Sequence, residues 1–269
     1  MKAMSVKIFR LFVLVIAAVA VIVFAGAVLA QNLGPREILQ KTLDRPYQDL
    51  VLKVHLVKTS KTGKERPMDI TVKMKQTPDV KMTLAVFTAP PEVEGISSLA
   101  YDYTDPKKST DRWFKLSGMD YAKCLGKACQ KMEERFGFST DIFAIDLDEA
   151  DHKVLGEEAV DGAACYKVES DSKDPADPRG ARFITWVDQK MFAARKIEAH
   201  DQSGKLTQMS TFTEFKEING HWWETKGELI QYDSNKKLRF NIEDAKADTN
   251  IPDDVFAKPK TFSVQGDEK

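Results

Sequence analysis

Met68-Asp-Ile-Thr-Val-Lys-Met74 alternates apolar and polar side chains without a break, the period of two of a half-buried β-strand. The flanking stretches keep the same parity. Leu52, Val54 and Leu56 before it and Val80, Met82, Leu84 and Val86 after it are apolar, whereas Lys53, His55, Lys81 and Thr83 between them are polar. Successive side chains of a strand point to opposite faces, so these strands predict a sheet with one apolar and one wet face, as in antiparallel sheets. Burying such a set of side chains is worth roughly 15–30 kcal/mol, at 1.5–3 kcal/mol for each one. What covers that face therefore decides both fold and function.

Turn chemistry in Lys61-Thr62-Gly63-Lys64 and Thr77-Pro78-Asp79 makes the three strands a meander. Ile96–Tyr103 resumes the alternation, with Leu99, Tyr101 and Tyr103 on one side, and Trp113-Phe114-Lys115-Leu116 follows. Residues 117–150 lose the pattern and read as a long loop with short helices. Alternation then returns over about 153–159, 164–170, 181–188, 191–201, 205–217, 221–232 and 235–247. The joints there, such as Asp161-Gly162, Ser203-Gly204 and Asn219-Gly220, suit hairpins. About eleven short, evenly spaced strands predict an all-β fold with minor α, and exclude βαβ units. Pro35–Leu43 reads as a short covering helix with Ile38, Leu39 and Leu43 on one side.

Lys2, Lys7 and Arg10 precede an apolar run from Leu11 to Ala30, and Val28-Leu-Ala30 supplies small residues at a cleavage site. Residues 1–30 thus read as a signal peptide for export, with an uncleaved anchor as the alternative that the length of the run allows. A single domain follows over 31–262, then a polar tail at 263–269. Removing the leader takes the formal charge from −1 to −4, with both signs mixed along the chain. No basic stripe of the kind that nucleic acid requires is present.

The search for chemistry finds no constellation. His55, His152, His200 and His221 share no metal-ligand spacing, and the chain holds no G-x-S-x-G elbow, phosphate loop or H-E-x-x-H. The carboxylates at Asp146–Asp151 and Asp253-Asp254 read as solvated loop residues. No catalytic residue, metal or cofactor is expected, and the chain does not read as an enzyme. Cys124 and Cys129 lie close enough to close a short loop as a disulfide in an oxidising compartment, with two free surface thiols as the alternative. Cys165 reads as a buried small hydrophobe. Phe183, Phe192, Phe212, Trp223, Leu229, Phe240 and Ile242 are further candidates for the apolar face. Alternation alone leaves open whether that face is a packed core or a pocket.

The strings Phe183-Ile-Thr-Trp-Val-Asp188, Ala194-Arg-Lys-Ile-Glu198, Asp201-Gln-Ser-Gly-Lys-Leu206, Phe212-Thr-Glu-Phe-Lys-Glu-Ile-Asn-Gly-His-Trp222 and Ile251-Pro-Asp-Asp-Val-Phe256 resemble, in order and spacing, the outer-membrane lipoprotein-sorting proteins of the LolA/LolB-like superfamily. Phe87-Thr-Ala-Pro-Pro91, Tyr101-Asp-Tyr103 and Val160-Asp-Gly162 extend the resemblance forward. It implies an antiparallel sheet curled into an unclosed half-barrel covered by short helices. It implies a periplasmic location, and a non-enzymatic, monomeric carrier for the acyl chains of a lipid or lipoprotein, with an inner-membrane transporter or an outer-membrane acceptor as partner. The expected acyl-facing wall is Val54, Leu56, Ile70, Val72, Met74, Met82, Leu84, Val86, Tyr101, Trp113, Phe183 and Trp223. The helix at 35–43 and the aromatic patch at 136–147 are the expected covers. The alternative is an envelope sensor or regulatory interaction module whose cavity is filled by its own side chains. Where relatives carry an arginine-rich stretch after the Trp113 strand, this chain has Met119–Cys129 instead.

Overall fold

Pro35 at the first turn, Glu37 behind it and Lys41 in the last turn suit the backbone and dipole of a helix, and Pro35–Leu43 forms helix α1. The computed structural model describes residues 33–105, 107–124, 147–174, 180–259 and 263–265. The leader at 1–30, Cys129 and most of the aromatic patch lie outside the described residues. α1 buries Ile38, Leu39 and Thr42 and leaves Leu43 exposed. Among the described residues no helix is long and apolar enough to cross a membrane.

The strands are β1 (Asp49–Thr59), β2 (Glu65–Gln76), β3 (Val80–Ala89), β4 (Ser97–Tyr103), β5 (Asp111–Lys115), β6 (Ala122–Cys124), β7 (Ala150–Val160), β8 (Ala163–Ser172), β9 (Arg182–Asp188), β10 (Ala194–His200), β11 (Leu206–Ile218), β12 (His221–Gln231), β13 (Lys236–Ala247) and β14 (Ser263–Gln265). They form one sheet in the order β14-β6-β5-β4-β3-β2-β1-β13-β12-β11-β10-β9-β8-β7. Two meanders, β1 to β6 and β7 to β13, meet where β1 pairs with β13. All pairings are antiparallel except β14 on β6. The sheet is curled and not closed into a barrel. The expected count of about eleven falls short chiefly because β6 and β14, at three residues each, are too short to show alternation, whereas β5 is the expected Trp113 strand. Residues 263–265, expected in a polar tail, are thus part of the sheet.

Hairpin geometry decides which residues share a face. β1 and β2 pair Leu52 with Val72 and Leu56 with Met68, so even numbers face even numbers. β2 and β3 pair Ile70 with Phe87 and Val72 with Ala85, so here even faces odd. One face therefore carries Leu50, Leu52, Leu56, Met68, Ile70, Met74, Ala85 and Phe87, all buried. It continues through Leu229, Phe212, Val187 and Val168 in the other meander, again buried.

α1 packs against β7, β8 and β9 on this same face. Arg36 donates to the Leu147 carbonyl (2.7 Å), which also accepts from His152 Nε2 (3.1 Å). At the other end Lys41 lies 5.1 Å from the centre of the Phe192 ring, which stacks on Tyr166. We call this the inner face. A flat sheet fourteen strands wide would need a cover as wide as itself. The nine-residue α1 covers the part of this face that β7, β8 and β9 form.

Candidate functional site

The structure divides the expected wall between two faces. Val54, Leu56, Ile70, Val72, Met74, Phe183 and Trp223 lie on the inner face, as do Phe212, Leu229, Phe240 and Ile242. Met82, Leu84, Val86, Tyr101 and Trp113 lie on the outer face: Leu84 stands across from Leu99 and Met82 from Tyr101, with Trp113 beside Leu99. The inner positions of β3 are Thr83, Ala85 and Phe87, which parity carried over from β2 misassigns. Phe192 falls in the β9–β10 turn with φ +49°, not in a strand.

Two apolar clusters fill the front of the inner face. Leu56, Met68, Ile70, Ala85, Phe87 and Phe114 pack with Val93 and Ile96 of the β3–β4 connection. Leu50, Leu52, Met74 and Ile218 pack beside them, against Tyr47 and Trp223. Further along, Ala194, Ile197 and Phe212 adjoin Phe240. Gly227 lies under this last group, between Phe212 and Phe240 across the sheet. A Cβ there would stand 2.5 Å from the Thr211 carbonyl oxygen, 2.8 Å from the Phe240 ring and 2.9 Å from the Phe212 ring. The missing side chain is what lets the two rings approach to 6.2 Å. Gly227→Ala is expected to cost about 1–3 kcal/mol through overpacking, read as a lower urea midpoint at unchanged slope. A neutral result would mean that the rings are free to move.

Ion pairs border this face. Just beyond α1, Arg45 clasps Glu224 with two contacts, Nη1 to Oε2 at 2.7 Å and Nη2 to Oε1 at 2.8 Å, and lies 5.0 Å over the Trp223 ring. Glu224 Oε1 also accepts from the Ala194 amide (2.8 Å), so the segment after α1 is tied to β12 and β10 together. Tyr47 packs on Trp223 at 6.0 Å, and burial, with the Asp102 charge adding, pushes its phenol up to about 12. In the β9–β10 turn Asp188 accepts from the amides of Lys190 and Met191 and from Arg195 Nε (2.7 Å). Burial alone would raise this carboxyl, but those donors hold it below its usual range.

The outer face has its own cover. Leu99 and Trp113 pack with Ile251 and Phe256 of the segment that follows β13, and Met82, Leu84, Tyr101 and Val255 surround them. Residues 253–256 form a 3₁₀ turn. Tyr101 donates its hydroxyl to the Phe256 carbonyl, and Lys75 donates to the Ile251 carbonyl (2.9 Å). Lys258 lies 4.7 Å from the Tyr101 ring centre and bonds Asp111 (3.0 Å) and the Tyr103 hydroxyl (2.7 Å). Four of the five misassigned wall residues, Met82, Leu84, Tyr101 and Trp113, are thus packed beneath, or beside, a strap made by the chain itself.

Asp49 fastens that strap. It is buried, and accepts from the Thr249 amide (2.8 Å) and hydroxyl (2.7 Å) and from the Ile251 amide (3.1 Å). Burial pushes its carboxyl up, but the Thr249, Ile251 and Asn250 donors outweigh that and leave it below the ordinary value. A carboxyl that binds its proton more weakly in the fold stabilises the fold above the unfolded-state value of about 4, and loses that contribution as the pH falls through the folded value. Asp49→Asn is expected to cost about 1.5–3 kcal/mol at pH 7 and to flatten the acid limb of stability against pH. Parallel acid limbs in the two proteins would refute the assignment.

Among the described residues no group of three His, Cys, Asp or Glu side chains is placed to hold a metal. His55 instead contacts Asp69 on the outer face (2.6 Å), and His152 donates through Nε2 to Leu147, leaving Nδ1 to accept from the Ser170 hydroxyl (2.9 Å). Cys165 is free and fully buried. Cys124 is buried at the end of β6.

Residues 79–260 match the model of a family described as “Uncharacterized protein”. No curated protein sequence matches the chain. The fold is similar to that of a DUF1329 family protein from Desulfovibrio piger, at a TM-score of 0.75 and 20% identity over 83% of this chain and 95% of that one. It is similar to a domain described as outer membrane lipoprotein-sorting from Vibrio parahaemolyticus (TM-score 0.70, 17% identity, 82% and 95% covered). A LolA superfamily protein from Nitrosomonas europaea shares it as well (TM-score 0.62, 19% identity, 84% and 98% covered).

Proposed function

We propose that this chain, which belongs to that family of uncharacterized proteins and has the fold of the lipoprotein-sorting proteins, is a periplasmic carrier that holds lipid or lipoprotein acyl chains against its inner face without covalent chemistry. The observation that supports the reading is the continuous apolar inner face of an unclosed sheet. A surface of this kind offers an acyl chain about 0.8 kcal/mol for each CH₂ withdrawn from water, while an open sheet leaves the chain free to depart. The binding wall is Val54, Leu56, Ile70, Val72, Met74, Phe183 and Trp223, joined by Phe212 and Phe240. α1 is its cover. Residues 1–30 direct export.

Native mass spectrometry of the exported protein tests the reading. Co-purifying acyl species, and uptake of a fluorescent fatty acid after delipidation, are expected. A clean apo mass with no uptake would sink the carrier reading and favour an interaction module. The Cys124–Cys129 disulfide belongs to the same proposal, since the periplasm is oxidising. Alkylation without reductant is expected to leave both cysteines unlabelled, and labelling of either would refute the bond.

A further inference from the structure

Thr185 stands in the middle of β9 on the inner face, with Val168 across from it on one side and Ile197 on the other. It is 1% exposed, in the part of the sheet against which α1 packs, and its hydroxyl has no hydrogen-bond partner. Other hydroxyls nearby are used: Ser170 donates to His152 (2.9 Å), and Thr42 of α1 to the Leu39 carbonyl (2.6 Å). Valine has the same shape as threonine and would suit a position between Val168 and Ile197. An unpaired buried hydroxyl costs the fold about tenfold or more in its equilibrium constant, so packing does not account for this residue.

On the far side of Ile197 the face continues through Phe212 to Phe240. From β9 to β1 it crosses five strand spacings, about 24 Å, a span suited to a fatty-acyl chain. A chain laid along that track has its first polar atom at β9. We infer that the Thr185 hydroxyl donates to the carbonyl oxygen of an ester- or amide-linked acyl ligand whose hydrocarbon runs towards Phe212 and Phe240. This assignment rests on the carrier reading and adds to it a ligand class and an orientation. Ligands that lack the carbonyl leave the hydroxyl unpaired and bind less well.

Competition against a fluorescent fatty acid, with 1-palmitoylglycerol and its ether counterpart 1-O-hexadecylglycerol as competitors, isolates the carbonyl. The full-length protein is expected to prefer the ester by about fivefold, the ratio that one net hydrogen bond carries. Thr185→Val is expected to bring the ratio close to one and to raise the melting temperature of the unliganded protein by a few degrees. Thr185→Ser is expected to keep the preference. Equal binding of both competitors by the unaltered protein, or a preference that survives in Thr185→Val, overturns the assignment and leaves the carrier reading standing. Uptake of neither competitor overturns both.

Discussion

Val72→Asp is expected to cut uptake of an acyl probe by a hundredfold or more, whereas Leu84→Asp changes it by no more than a fewfold. Both residues are apolar, half-buried and even-numbered in neighbouring strands, and alternation places them together. The β2–β3 register places them on opposite faces. A carboxylate at position 72 would stand against the hydrocarbon of the ligand, where an unpaired charge costs several kcal/mol. The same carboxylate at position 84 would lie under the strap, next to Met82 and Leu99, and would weaken its docking instead. Fluorescent fatty-acid titration of both variants, with circular dichroism to show that each is folded, checks the difference. Equal losses would mean that the outer cluster also takes part in binding.

The second large effect belongs to the strap. Phe256 is fully buried against Leu99 and Trp113. Phe256→Ala is expected to lower stability by about 3–5 kcal/mol, the usual cost of emptying a buried aromatic site. Because the outer face is separate from the proposed wall, acyl affinity of the folded fraction is expected to stay within about twofold. Urea unfolding gives the first quantity and titration well below the midpoint the second. A loss under about 1 kcal/mol would mean that the strap is only loosely seated.

The residues that misled the sequence reading show where its physics stops. Alternation within a strand is local, and it made most strands of both halves and their antiparallel class legible; Pro35 and the helical spacing behind it gave α1, and the unclosed sheet came from the motif resemblance, with which the fold likeness to the lipoprotein-sorting proteins agrees. Relating one strand to the next requires the number of residues in the turn. Between Thr59 and Glu65 an odd number of residues intervenes, and partners share parity. Between Gln76 and Lys81 the number is even, and parity is exchanged. Thr77-Pro78-Asp79 marks a turn without fixing its length, so Met82, Leu84, Val86, Tyr101 and Trp113 were carried to the wrong side. Bulges at Lys53/Val54 and between Phe212 and Phe215 alter the count again.

Other features leave no periodic trace at all. Gly227 carries its importance in what approaches it from Phe212 and Phe240, and the fastening of 249–251 to Asp49 joins residues whose proximity exists only in the fold. Ile251-Pro-Asp-Asp-Val-Phe256 contributed to the resemblance, yet nothing in its pattern said which face it would cover. Thr185 was hidden for a simpler reason: a lone threonine in a strand is ordinary until its surroundings are known.

The junction of β1 with β13 has a temporal consequence. The two strands lie side by side at the heart of the sheet, and the Asp49–Thr249 bond beside them joins positions 200 residues apart. During synthesis at 5–20 residues per second, β1 would wait about 10–40 s for its second neighbour. Over that interval the first meander has a bare apolar edge, the kind of edge that pairs with other chains. The pairing that joins the two meanders is therefore a late one, made only after β2 to β12 have all been synthesised.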